Sequence, residues 1–320
     1  MNVKKIIMVS FLSFLTAFGL LSAALADTIL FPVIAVSQPT ITTLVSVVNF
    51  PHPSGTSYLH YIYRHKAAGN IGATCSKTEF TRSTTDSDLV SFDASGVIGG
   101  GNALFGDTNS YGGSFYLPGS GARRAYLLVT NSDASGTRVD STTDTDLMGE
   151  AIIMDIAYGA AWGMKAINDN ISQTYNFVNA EDGGGVWSAL PSNGYMDRTF
   201  AFFPPDEWTT KFFITPIGNN MDSNDLNATV TLSGNNVFDR NGINHTSVSV
   251  SQSITCTGVI TIRDLMDSSI YSAVENIGGW GWFQVSSGDA IVYKLEYVVD
   301  NATYGGTNNN GYLLSTYDLP

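Results

Sequence analysis

TILFPVIAV (residues 28–36), the interruption SQPT (37–40) and ITTLVSVVN (41–49) together decide the fold class. Both outer runs consist mainly of Ile, Val, Leu and Thr, whose side chains suit a pleated, half-buried backbone, and Pro39 punctuates the gap. Outward from there, residues 58–65 form an aromatic-rich run, and Pro53-Ser54-Gly55 supplies the turn before it. The three runs read as a meander of strands. Further candidate strands lie at 124–130, 150–157, 160–167, 211–217, 228–233, 246–256 and 290–299, each bounded by Gly, Asn, Asp or Pro. Tyr158-Gly159 reads as the turn of a hairpin spanning 149–167. Residues 263–274 alone suit a short helix, because Leu265, Ile270 and Val274 are roughly helically spaced. Many short strands without βαβ alternation predict an all-β fold of antiparallel sandwiches.

Upstream of these strands, the first twenty-six residues have the form of an export signal. Lys4 and Lys5 open it, an apolar run follows from 6 to 21, and Ala24-Leu25-Ala26 forms a small-x-small cleavage site before Asp27. No Cys follows the site, so lipid anchoring is not indicated. No later stretch is apolar and long enough for a transmembrane helix, so the mature chain is expected in the periplasm, at the cell surface or outside the cell. Loss of Lys4 and Lys5 with the leader lowers the net charge from −13 to −15, while charged residues make up only 13% of the chain. An acidic surface covered mainly by Ser, Thr, Asn and Gly repels phosphate backbones, which excludes nucleic acid as a partner.

An internal self-match suggests two modules. Residues 74–91 align without a gap on residues 255–272, placing Cys75 on Cys256, Arg82 on Arg263 and Asp86 on Asp267. Flanking pairs follow in order: Phe31-Pro32 with Phe203-Pro204, Thr42-Thr43 with Thr209-Thr210, and Gly99-Gly100 with Gly278-Gly279. This reading divides the chain into a signal peptide (1–26), a first module with an extra hairpin (27–167), a linker or long loop (168–194) and a second module (195–320). The order of features in a module, carried by Val47-Val48-Asn49 and Asp264-Leu265, resembles the immunoglobulin-like β-sandwich modules of bacterial exported proteins. That resemblance implies two such sandwiches in tandem and no particular activity.

Two Cys in an oxidising compartment suggest one disulfide, yet alternation places Cys256 on a strand face with Val248, Val250 and Ile254, and Cys75 on one with Ile71 and Ala73. If both point into separate cores they remain buried thiols; if they are bridged, the modules pack through these faces. Both readings stand at this level.

Catalytic signatures are scarce. The chain has four His and no Gly-x-Ser-x-Gly elbow, His-Glu-x-x-His helix or phosphate-binding Gly loop. His60 and His65, an odd distance apart, fall on opposite strand faces and cannot share a metal. Glycoside hydrolysis needs two suitably spaced carboxylates, and Glu79, Glu150, Glu181, Glu207, Glu275 and Glu296 are scattered. Asp222, Asn224 and Asp225 offer the oxygen ligands that Ca²⁺ prefers, as do Asp140, Asp144 and Asp146, without completing a twelve-residue loop. Trp280, Trp282 and Phe283 offer an aromatic shelf for a glycan or a surface protein, against the alternative of core packing.

The expectation from sequence is thus a non-enzymatic exported structural or binding protein needing no cofactor beyond a candidate Ca²⁺ site, with its oligomeric state open. A secreted glycan hydrolase with an unrecognised carboxylate pair and an outer-membrane β-barrel are the alternatives.

Overall fold

The computed structural model describes residues 28–50, 57–107, 113–138, 147–157, 160–168, 195–298 and 311–315. The expected leader, the 53–55 and 158–159 turns, the 140–146 acidic cluster and nearly all of the 168–194 linker lie outside the described residues.

The fold is all-β, with antiparallel pairing throughout. Residues 28–168 supply β1 (Thr28–Val36), β2 (Ile41–Asn49), β3 (Ser57–Ala67), β4 (Ser76–Thr84), β5 (Asp88–Asp93), β6 (Arg123–Ser132), β7 (Leu147–Asp155), β8 (Ala160–Lys165) and β9 (Ile167–Asn168). Residues 195–315 supply β10 (Tyr195–Phe202), β11 (Trp208–Ile217), β12 (Asn227–Leu232), β13 (Val237–Asp239), β14 (Asn244–His245), β15 (Val250–Thr255), β16 (Gly258–Thr261), β17 (Gly279–Ser286), β18 (Asp289–Val298) and β19 (Gly311–Ser315). Two short helices, α1 (Ile262–Leu265) and α2 (Ser268–Val274), fall in the stretch read as helical. Thr261 and Asp264 form a reciprocal capping box on α1, and the Asp267 side chain accepts the Ser269 and Ile270 amides to start α2.

Among the described residues these strands form four sheets: A (β5-β2-β7-β8), B (β4-β3-β6-β1-β9), C (β14-β13-β17-β12-β15, with β10 on β17) and D (β16-β11-β18-β19). Counted from β1 and from β10, the pairing pattern recurs. Sheet B runs β4-β3-β6-β1 where sheet C runs β15-β12-β17-β10, and sheet A runs β5-β2-β7-β8 where sheet D runs β16-β11-β18-β19. The 149–167 hairpin is therefore no appendage, since β7-β8 holds the place in sheet A that β18-β19 holds in sheet D.

The gapless self-match, however, aligns unlike elements. It lays β4 and β5 on β16, α1 and α2, whereas strand order pairs β4 with β15 and β5 with β16. Cys75 precedes β4 and Cys256 follows β15, so the two mark opposite ends of corresponding strands.

Sheets A and B face each other across a core in which Tyr61 meets Phe92 and Phe115 edge-on at 5.6 and 5.3 Å. Sheets C and D enclose a second core around Phe200, Phe212 and Phe283. Strand alternation then gives B and D a further use, because their remaining faces pack on each other. Along β11, Phe212 and Ile214 enter the C–D core, while Phe213 and Ile217 join the cluster shared with sheet B; along β18, Val292 enters the first and Ile291, Tyr293 and Leu295 the second. The layers thus run A, B, D, C. Every residue of β1 is buried, as a strand covered on both faces requires. Pro32 is tolerated within β1 because the ladder to β6 shifts between Phe31 and Ile34, and its carbonyl accepts the Thr215 hydroxyl of sheet D at 2.6 Å.

Candidate functional site

The expected aromatic shelf divides along the strand. β17 alternates, so Trp280 and Trp282 point out of sheet C while Phe283 is fully buried beside Phe200 and Phe212 in the C–D core. Phe283 is therefore a core residue and is not part of the shelf. Its place is taken by Phe238 of β13, which lies opposite Trp280 in register. Its ring stacks on Trp280 at 4.5 Å between centroids, with Trp282 6.1 Å from Phe238 and 6.2 Å from Trp280.

Two glycines permit this arrangement. A Cβ on Gly279 would sit 2.1 Å from the Phe238 carbonyl oxygen, and one on Gly281 would sit 2.4 Å from that of Asn236. Without side chains there, the β13 backbone lies close against β17, and the Trp282 amide donates to the Asn236 carbonyl at 3.2 Å. Asp239 fixes the far end of β13: it accepts the Asn241 and Ile243 amides and pairs with His245 at 3.0 Å. Trp280 remains 44% exposed. Neighbouring outward positions are mostly small or neutral: Ala201 beside Trp280, Thr199 beside Trp282, Asp197 and Thr231 beside Gln284, and Asn244 beside Phe238.

At the other end of the stack, sheet A also presents apolar residues outward. Leu89 is 54% exposed, Ile152 44% and Met148 41%, with Leu44, Val48 and Met154 half-buried among them. Register makes them contiguous. Val48 lies between Leu89 and Met148, Leu44 beside Ile152, and Met154 beside Ala161.

The residues expected to ligate Ca²⁺ form a joint. Asp225 takes an ion pair from Arg64 of β3 at 2.6 Å and the Cys75 amide at 3.2 Å. The Asp222 carbonyl accepts a second Arg64 nitrogen at 3.4 Å, and burial raises the pKa of the Asp222 carboxyl. Asn224 is exposed, with its amide bonded to the Asn220 carbonyl. The loop carrying all three therefore docks sheet D onto sheet B, aided by Tyr126, whose hydroxyl donates to the Met221 carbonyl at 2.5 Å.

Cys75 and Cys256 are bridged across the same joint, with Cα atoms 6.2 Å apart. The alternation argument for separate thiols fails because β15 ends at Thr255 and Cys256 adopts φ +66°, turning its side chain off the strand face. Lys66 is buried beside the bridge and uses all three ammonium protons, on the carbonyls of Ile71, Ala73 and Thr255 at 2.7, 3.1 and 2.7 Å. Burial lowers its pKa to about 8, with Asp225 opposing the shift.

Several of the described histidines and acids are engaged locally. His60 contacts Thr81 and Glu79, while His65 contacts Thr78. Asp93 accepts from the Ser95 and Ile98 amides and from the Thr42 hydroxyl, holding the turn after β5. Glu296 is fully buried against Lys294 at 2.9 Å. Among the described residues, no helix is long and apolar enough to cross a membrane. No family model, curated protein or solved structure matches this chain.

Proposed function

We propose that the chain is an exported, non-enzymatic structural or binding protein of the cell surface or periplasm, built from two duplicated immunoglobulin-like sandwiches, and that it acts through the outer face of sheet C. The observation that carries this reading is the Trp280–Trp282–Phe238 cluster. Three large rings gathered on an outer face, one of them 44% exposed, mark a contact surface more readily than a core. The matching strand orders support the duplication, and the leader-like first twenty-six residues support export.

Export in a bacterial host followed by fractionation tests the proposal. The wild-type chain is retained with the envelope, and a Trp280→Ala/Trp282→Ala double variant, folded by circular dichroism, is released. Identical partition of the two would refute it. A second reading comes from the neutral border of Thr199, Thr231, Gln284 and Asn244, which suits the hydroxyls of a glycan stacked on the rings. It predicts quenching of tryptophan fluorescence by soluble oligosaccharides.

A further inference from the structure

We propose that the partner of the sheet C face is sheet A of a second copy of this chain, so that copies stack head to tail. This rests on the reading of the sheet C face as a contact surface. The chain already makes such a contact once. Sheet D has the strand order of sheet A, sheet B has that of sheet C, and the interior joint packs the outward face of D on the outward face of B. One sheet of each kind is left at the two ends of the A, B, D, C stack. The contact that joins D to B is therefore available again between the A of one copy and the C of another.

The faces suit that use. The D face that is covered presents Phe213, Ile217, Ile291, Tyr293 and Leu295. The A face that no described layer covers presents Leu44, Val48, Leu89, Met148, Ile152 and Met154 in adjoining rows, interrupted by the Ser46–Ser91 contact and by Glu150 opposite Lys165. On sheet C the rings of Trp280, Trp282 and Phe238 supply the apolar surface. A contact between unlike faces leaves a free A and a free C after every addition, so growth is open-ended. Inside the chain the joint also has the Cys75–Cys256 bridge, the Arg64–Asp225 pair and Lys66 on the Thr255 carbonyl. These fasten loops and strand ends to each other, and without a covalent clasp the contact between copies is reversible. The copies are strongly acidic, so salt screens their repulsion and favours stacking.

Sedimentation velocity and negative-stain microscopy of the purified exported chain test this across a concentration series at low and high salt. The wild type grows in mass with concentration and with salt, without reaching a plateau. Ile152→Glu disables the A face and Trp280→Ser the C face, both at exposed positions, and circular dichroism and the urea midpoint confirm that each variant folds. Each variant alone stays monomeric, and an equal mixture forms dimers and nothing larger, because one intact A face meets one intact C face. A monomeric wild type at every concentration, a mixture that stays monomeric, or a closed dimer abolished by only one substitution would overturn the stacking. If the wild type is monomeric while the tryptophan variants still lose envelope retention or oligosaccharide quenching, the shelf serves another partner. If retention is unchanged as well, the reading beneath the proposal fails with it.

Discussion

Lys294 and Glu296 lie next but one to each other on β18, and both turn inward from sheet D toward sheet C. Lys294 donates to Glu296 at 2.9 Å and to the Ala201 carbonyl of β10 at 2.6 Å. Glu296 also accepts the Phe203 amide at 2.6 Å and the Thr210 hydroxyl at 3.1 Å. Their exposures are 4% and 0%, so neither charge has water to fall back on. Lys294→Met takes from the buried carboxylate the ammonium that faces it at 2.9 Å, which costs about 3–5 kcal/mol of stability. Glu296→Leu takes the carboxylate from the ammonium, at a similar cost, and also removes the acceptor of the Phe203 amide. The double variant removes both charges together, so the two charge penalties do not add, and the loss of the acceptor for the amide and hydroxyl costs roughly 1–3 kcal/mol. Urea unfolding of the four proteins, read by circular dichroism, therefore yields a double variant far more stable than the sum of the single losses. A double loss equal to that sum within about 0.5 kcal/mol means that the groups act independently, and the description of the pair as one buried tie between sheets C and D is then wrong.

Two further outcomes follow, one from the joint between sheets B and D and one from strand β3. Replacing both cysteines by alanine frees a span of 181 residues in the unfolded chain and lowers stability by roughly 5 kcal/mol in the chain-entropy treatment. Reductant then lowers the urea midpoint of the wild type and leaves the variant unmoved, and a wild type insensitive to reductant would contradict the bridge. Burial, with Arg123 and Arg64 nearby, holds the pKa of His65 at about 4 against an ordinary 6.5. The folded state keeps this imidazole neutral where the unfolded chain binds a proton, so its contribution is complete above pH 6.5 and declines as the pH falls toward 4. His60, lowered mainly by burial, acts in the same sense, so His65→Gln flattens the slope in this window without abolishing it. A wild-type midpoint constant from pH 7 to 4.5 would refute the depressed pKa.

The strands that were legible are those whose apolar content is dense. Thr28–Val36 and Ile41–Asn49 appear over the residues quoted at the outset, and the runs at 124–130, 211–217 and 290–299 fall on β6, β11 and β18 with ends moved by a few residues. β4 was not legible, because an edge strand reading SKTEFTRST, exposed or half-buried until Thr84, carries little hydrophobic signal. Of the shelf, alternation identifies Trp280 and Trp282 as sharing a face and by the same rule places Phe283 on the other, so the inclusion of Phe283 was an error of parity. Phe238 was out of reach for a different reason. It arrives from a separate strand that lies close to β17 only because Gly279 and Gly281 leave room, and no local period records that.

Burial on both faces writes itself into a strand as continuous apolar character, and burial on one face as alternation. By that rule β1 declares itself an inner strand, and it lies in sheet B with no exposed residue. β12 alternates Thr229 and Thr231 against Val230 and Leu232, and it lies in the outer sheet C. β7 breaks the correspondence. It reads LMGEAIIMD, with Leu147, Ala151 and Ile153 turned into the A–B core and Met148 and Ile152 turned out, and so has the composition of an inner strand in an outer sheet. Its counterpart by strand order, β18, has apolar residues on both faces for an evident reason, since sheet D is covered on both sides. Met148 and Ile152, 41% and 44% exposed beside Val48 and Leu44, make an apolar outer face of the kind that marks a contact surface. The composition of β7 is that of a strand with a layer on each side, and among the described residues of one copy sheet B supplies only the first.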